Sequence, residues 1–139
     1  MPYTVLRVPS VRRTVDEEMS GRERRAYDAA VVALKGEGCR AAGKRLASIE
    51  AGDYPLCQRS LYGAWRMITA YPPNGTIVIV VVARHAGREN PIAALAQIFP
   101  GLSPIGRRRS HQPQCCEDPA KPPALTAELE GMLFDLFGL

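Results

Sequence analysis

The chain lacks any long apolar run. Its longest, Ile77–Ala83, is strand-sized and falls short of the roughly 18 residues that a membrane-spanning helix needs, although 46% of the 139 residues are apolar. The opening Met1-Pro-Tyr-Thr-Val has neither a basic stretch nor an apolar segment behind it. No signal peptide is therefore expected, and a cytoplasmic location is the default expectation. The four cysteines, Cys39, Cys57, Cys115 and Cys116, show no C-x-x-C spacing. A chain of this size can bury a core without disulfides, and disulfides are rare in the cytoplasm. The cysteines are thus expected to act as small buried apolar residues, not as a bonded framework. No internal repeat is visible, and length and composition fit an ordinary soluble globular domain.

What is present is positive charge. The net charge is +4 and most of the positive charge is arginine. Such a surface favours polyanions: RNA, DNA, the ribosome or an acidic protein partner.

Tyr3–Val8 alternates and reads as a first strand ended by Pro9. Thr14-Val-Asp-Glu17 and Ser20-Gly-Arg-Glu23 both match a capping box, so a first helix could begin at either. Its apolar stripe is Ala26, Tyr27, Ala30, Val31 and Leu34, and Gly36 or Gly38 can end it. A second, shorter helix is expected next, with Cys39, Ala42, Leu46 and Ile49 inward; Lys44 and Arg45 would lie on it.

Three consecutive strands follow, each with an arginine at or near an end. Leu56–Leu61 alternates around Arg59, Ala64–Tyr71 carries Trp65-Arg66, and Thr76–Arg84 is an Ile/Val run ending in Arg84-His85. Tyr62-Gly63 and Pro72-Pro-Asn-Gly75 read as the hairpin connections between them. The third strand, apolar on both faces, is expected at the centre of the sheet. Asn90-Pro91 supplies an N-cap and a first-turn proline for a short helix through Phe99. Gly101–Pro123, with five prolines, reads as an irregular linker. Thr126 then caps an amphipathic helix carrying Leu125, Leu129, Met132, Leu133 and Leu136, expected to dock on the sheet of its own chain or on a partner.

Two helices followed by an arginine-bearing three-stranded meander resemble the RelE/ParE toxin superfamily. The residues that carry the resemblance are Leu56-Cys-Gln-Arg59, Trp65-Arg66-Met-Ile, and Ile77–Val82 leading into Ala83-Arg84-His85. The resemblance covers about Tyr3 to Phe99. It implies an α+β fold, with two N-terminal helices packed on a small, mainly antiparallel sheet. Residues 1–100 would be the toxin domain, 101–124 a Pro/Arg-rich linker or loop, and 125–139 a C-terminal amphipathic helix. It further implies a ribosome-dependent mRNA endonuclease of a type II toxin–antitoxin system working without metal or cofactor, or alternatively a non-catalytic toxin acting on DNA gyrase or a catalytically silent regulatory or binding protein of the same fold. Either would have a cognate antitoxin protein as partner. Arg66 would stabilise the scissile phosphate, Arg84 neutralise charge on it, and His85 serve as acid or base. Arg59 would be a further phosphate or rRNA contact, joined by Lys44, Arg45, Arg88, Arg107, Arg108 and Arg109. The chain departs from the family pattern in having no tyrosine in Gly87–Pro91 and in carrying an extra segment after Gly101.

The residues themselves constrain the chemistry. Arginine forks match phosphate oxygens bidentately but stay protonated, so they stabilise charge and do not transfer protons. His85 has a suitable pKa. Adjacent strand residues point to opposite faces, so Arg84 and His85 can share a site only where the strand ends between them. Along the middle strand Trp65, Met67, Thr69 and Tyr71 form the bulkier face, expected to pack on the helices, with Arg66 on an open face. Arg59 could instead pair with Glu50 or Asp53. His111, Cys115 and Cys116 invite a zinc reading, but a structural site wants four ligands, and no metal is expected.

Overall fold

A computed structural model describes residues 3–48, 52–86, 90–99 and 113–137. The chain is α+β. In order, the elements are β1 (Thr4–Arg7), α1 (Pro9–Glu18), α2 (Gly21–Glu37), a 3-10 turn (Gly38–Ala41), β2 (Lys44–Ser48), β3 (Gly52–Ser60), β4 (Trp65–Ala70), β5 (Thr76–Arg84), α3 (Pro91–Ile98) and α4 (Ala127–Leu136). The strands form one mixed sheet in the order β1-β5-β4-β3-β2. β1 is parallel to β5 and the other neighbours are antiparallel.

The Ile/Val run of β5 explains its interior place, between β1 and β4, although the middle strand of the five is β4. Ile77 to Val82 are all buried, as a strand covered on both faces requires. The turn into β5 uses Asn74 and Gly75, both at positive φ, which are the residues a tight hairpin selects. Pro9 ends β1 and also starts α1, because its fixed φ suits a first helical turn and its missing N–H has no partner to lose. Of the two expected helix starts, Ser20 opens α2 with a complete capping box, whereas Thr14 lies inside α1. The first helical stretch is therefore two helices broken at Met19-Ser20. Asn90 and Thr126 cap α3 and α4 as their sequences indicate.

The second expected helix, with Cys39, Ala42, Leu46 and Ile49 inward, is absent over Cys39–Ser48; Ile49 lies outside the described residues. Gly38–Ala41 makes one 3-10 turn, and Lys44–Ser48 is β2, paired with β3. Gly43 is the physical cause. Its φ is +83°, outside a helix, and a Cβ there would collide with the Gln58 carbonyl. Cys39, Ala42 and Leu46 are buried nonetheless. A stripe this short satisfies either period, so the sequence alone could not separate helix from strand.

The cysteines correct a second expectation. They are buried, but they form two disulfides, Cys39–Cys116 and Cys57–Cys115, with Cα separations of 5.8 and 5.6 Å. Spacing does not reveal such connectivity. It becomes visible once β3 and the 3-10 turn lie side by side. The helix α4 buries Leu129 and Leu133 against its own chain.

Candidate functional site

Directly paired residues on neighbouring strands present their side chains to the same face. Arg45 pairs with Cys57, and Cys57 with Thr69; Arg59 pairs with Met67, and Met67 with Val82; Trp65 pairs with Arg84. Arg45, Arg59 and Arg84 therefore share the Trp65 face. On the opposite face Lys44 pairs with Gln58 and Gln58 with Ile68, while Ser60 pairs with Arg66 and Arg66 with Ala83. The arginine array expected from the sequence is thus divided between two faces.

The Trp65 face is the helix side. Trp65 is buried, and its indole N–H donates to Glu23 Oε2 at 2.6 Å. The same carboxylate accepts the Ser20 backbone N–H at 2.7 Å. Those two bonds, led by the backbone one, hold the Glu23 carboxyl below its ordinary pKa. Arg84 completes the cluster, 4.0 Å from Glu18 Oε1 and 5.3 Å from the centre of the Trp65 ring. A cleft of about 220 Å³ opens beside it, lined by Ser10, Thr14, Glu18, Trp65, Arg84 and Gln97 among others. Glu18 in that wall makes the cleft mixed in sign. Arg59 Nη1 donates to the Ala41 carbonyl at 2.7 Å, and Arg45 Nε to the Cys115 carbonyl at 3.0 Å. These cations knit the sheet to the 3-10 turn, the helices and the C-terminal segment.

The opposite face is covered along its middle, since Ile68 and Ala70 are fully buried. The expectation of an open face is corrected there. It opens at the strand ends: Lys44 and Ser60 are exposed, and Gln58 and Arg66 half-buried. Arg66 Nη1 donates to the carbonyls of Gly63 and Trp65, both at 2.9 Å, so one corner of its guanidinium is anchored. The His85 backbone N–H donates to the Ala64 carbonyl at 2.8 Å, which carries the β4–β5 ladder one step past Arg84. Alternation then sets His85 on the Arg66 side, away from Arg84. His85 is exposed. The strand ends at Arg84, and continuing its alternation by one residue assigns His85 to the face of Arg66 and not to that of its sequence neighbour.

Arg88, Arg107, Arg108, Arg109, His111 and Glu50 lie outside the described residues, as does the Asp53 side chain. Among the described residues no group of three His, Cys, Asp or Glu side chains could hold a metal ion. Cys115 and Cys116 are already committed to disulfides. No helix among the described residues is long and apolar enough to cross a membrane.

Sequence reasoning passed over Glu23, Gln58 and Ser60. Glu23 was visible as a capping residue, but its indole bond depends on α2 meeting β4. Gln58 and Ser60 were legible as partners of Arg66 once the β3–β4 register was known. Comparison of the chain with protein-family models, with curated proteins and with solved structures finds no match.

Proposed function

We propose that the chain is a RelE-like, metal-free endoribonuclease acting on mRNA at the ribosome, with its reaction face at the strand ends around Arg66 and His85. The observation that carries this reading is the register. Arg66, His85, Ser60, Gln58 and Lys44 belong to one face, partly or fully exposed, with Arg66 held to two carbonyls through one nitrogen, while Arg45, Arg59 and Arg84 lie on the other face and bond to carbonyls or to Glu18. The net charge of +4 suits a polyanionic substrate.

In the proposed reaction the neutral His85 imidazole takes the proton of a 2′-hydroxyl as that oxygen attacks the adjacent phosphorus. The P–O5′ bond breaks, the departing 5′-oxygen takes a proton from water, and a 2′,3′-cyclic phosphate remains. Arg66, fixed at one corner, lends its fork to the phosphorane oxygens, where pre-set cations act without reorganising. Lys44 binds the substrate backbone further along the face. Arg84 is a positioning residue in this reading, holding Trp65 and α1 behind the strand that carries His85. A cognate antitoxin protein is the expected partner.

A second reading is a non-catalytic relative, either a toxin binding DNA gyrase or a silent binding protein. What favours it is the anchoring of Arg66 by Gly63 and Trp65, which already occupies part of its donor set. Inducing the wild type beside Arg66→Ala/His85→Ala in a bacterial host, with growth and mRNA integrity followed together, separates these readings. Growth arrest with cleaved messages, abolished by the double change, is the expected result. Arrest with intact messages and a DNA-damage response would transfer the proposal to gyrase. Intact messages on translating ribosomes, with variant and wild type alike, would end the nuclease reading.

A further inference from the structure

Three observations converge on the segment 113–125, which meets the proposed reaction face only at its edge, where Gln114 bridges to Lys44. Its adjacent cysteines reach different elements, Cys116 bonding Cys39 at the 3-10 turn and Cys115 bonding Cys57 on β3. Its main chain lies along the outer edge of β2. The Arg45 N–H donates to the Pro113 carbonyl at 3.0 Å and the Cys115 N–H to the Gly43 carbonyl at 2.9 Å, flanking a bridge between Lys44 and Gln114. Finally, a cleft of about 480 Å³ separates the segment from the end of the sheet, with Tyr3, Cys39, Tyr71, Pro72, Pro119 and Leu125 in its walls. The segment is therefore held by two covalent links and a short edge ladder, over a space it does not fill. One of those links borders the space.

We propose that the segment is a redox-released strap: a dithiol reductant entering the cleft cuts Cys39–Cys116, then Cys57–Cys115, and the strap leaves the β2 edge. In the first step a reductant thiolate attacks the Cys39 sulfur, and Cys116 departs as a thiolate that takes up a proton. The second reductant thiol resolves the mixed disulfide, restoring the Cys39 thiol and closing the reductant's own disulfide. Two electrons and two protons pass to the protein and the dithiol is oxidised. The same exchange at Cys57–Cys115 consumes a second dithiol. Burial sets the order: Cys57 and Cys115 are both 0% exposed, while Cys39 and Cys116 are 2% and 6% exposed and Cys39 lines the cleft. The Cys57–Cys115 sulfurs become reachable once the strap has lifted. Removing the strap returns the β2 edge, including the backbone groups that Arg45 and Gly43 share with it, to solvent or to another chain.

The test treats the full-length oxidised protein with dithiothreitol and reads thiols by pulsed alkylation and amides by hydrogen exchange; neither readout involves RNA. Cys39 and Cys116 should be alkylated before Cys57 and Cys115. The Arg45 and Cys115 amides should then exchange at least about tenfold faster while Ile77–Val82 stay protected. Cys39→Ala/Cys116→Ala should reproduce the first stage without reductant, leaving Cys57–Cys115 faster to reduce than in the wild type. Simultaneous alkylation of all four cysteines with loss of β5 protection would overturn the proposal, since the bonds would then hold the whole fold. So would full reduction with no change at Arg45 and Cys115, or four free thiols in the oxidised protein.

Discussion

At the scale of single residues, the register assigns different work to arginines that look equivalent along the chain. Arg66 sits at a half-open strand end beside the His85 side of the sheet, whereas Arg84 faces Glu18 and the Trp65 ring. Arg66→Ala is expected to abolish the proposed cleavage with little change in urea midpoint, because its side chain is half-buried and bonds only to the Gly63 carbonyl at the turn and the Trp65 carbonyl at the start of β4. Arg84→Ala should lower the midpoint and leave residual cleavage. Equal losses of cleavage in the two variants, at unchanged stability, would contradict the division of roles. Gly43 is a second residue with a defined cost. An alanine there meets both a φ of +83° and the Gln58 carbonyl, so Gly43→Ala should destabilise by about 2 kcal/mol or more. An unchanged urea midpoint would refute the assignment of Gly43 as the residue that turns the chain into β2.

At the scale of elements, the junction between α1 and α2 is also the junction between helices and sheet. Glu23 caps α2 through the Ser20 N–H and receives the Trp65 indole, so one carboxylate secures a helix start and the buried end of β4. Its pKa is depressed in the fold. The stability it contributes is therefore present above the ordinary value of 4.5 and is lost as pH falls through the lower folded value. Glu23→Gln keeps an acceptor for the indole but cannot titrate. The variant should be less stable than wild type near neutral pH, and the gap should close as the pH drops below the carboxylate range. A gap constant with pH would show that the charge contributes nothing. Ser20→Ala should cost about 1 kcal/mol near neutral pH through loss of the cap.

These elements also mark what the sequence made legible. The strands around Arg59, Arg66 and Arg84, the Asn74-Gly75 turn and the Ser20, Asn90 and Thr126 caps were readable because each rests on local chemistry. The β2 strand was hidden because Gly43 breaks the helix through a contact with Gln58, fifteen positions away in sequence. The candidate site was legible in its residue types but not in its grouping. Only the pairing of Trp65 with Arg84 reveals that Arg84 turns away from Arg66.

At the scale of the whole molecule, the two disulfides enclose loops of very different independence. Their sequence separations are 77 and 58, each worth about 4 kcal/mol of chain entropy if formed alone. Cys115 and Cys116 are neighbours, however. Once either bond exists, the other closes a ring of only about 19 residues, from Cys39 to Cys57 plus one step, worth about 3 kcal/mol. Replacing one cystine by two alanines should therefore cost about 3 kcal/mol, whichever is chosen. Replacing both should cost more than twice that, about 7 kcal/mol, if the strap stayed docked. A released strap changes the last figure and adds a second signature. The native state of the four-alanine variant would already expose the β2 edge and the cleft walls, so less surface would remain to be exposed on unfolding. Its loss should fall short of about 7 kcal/mol, and its urea m-value should drop relative to either two-alanine variant. An unchanged m-value together with the full loss would mean that segment 113–125 stays on the sheet without its covalent links.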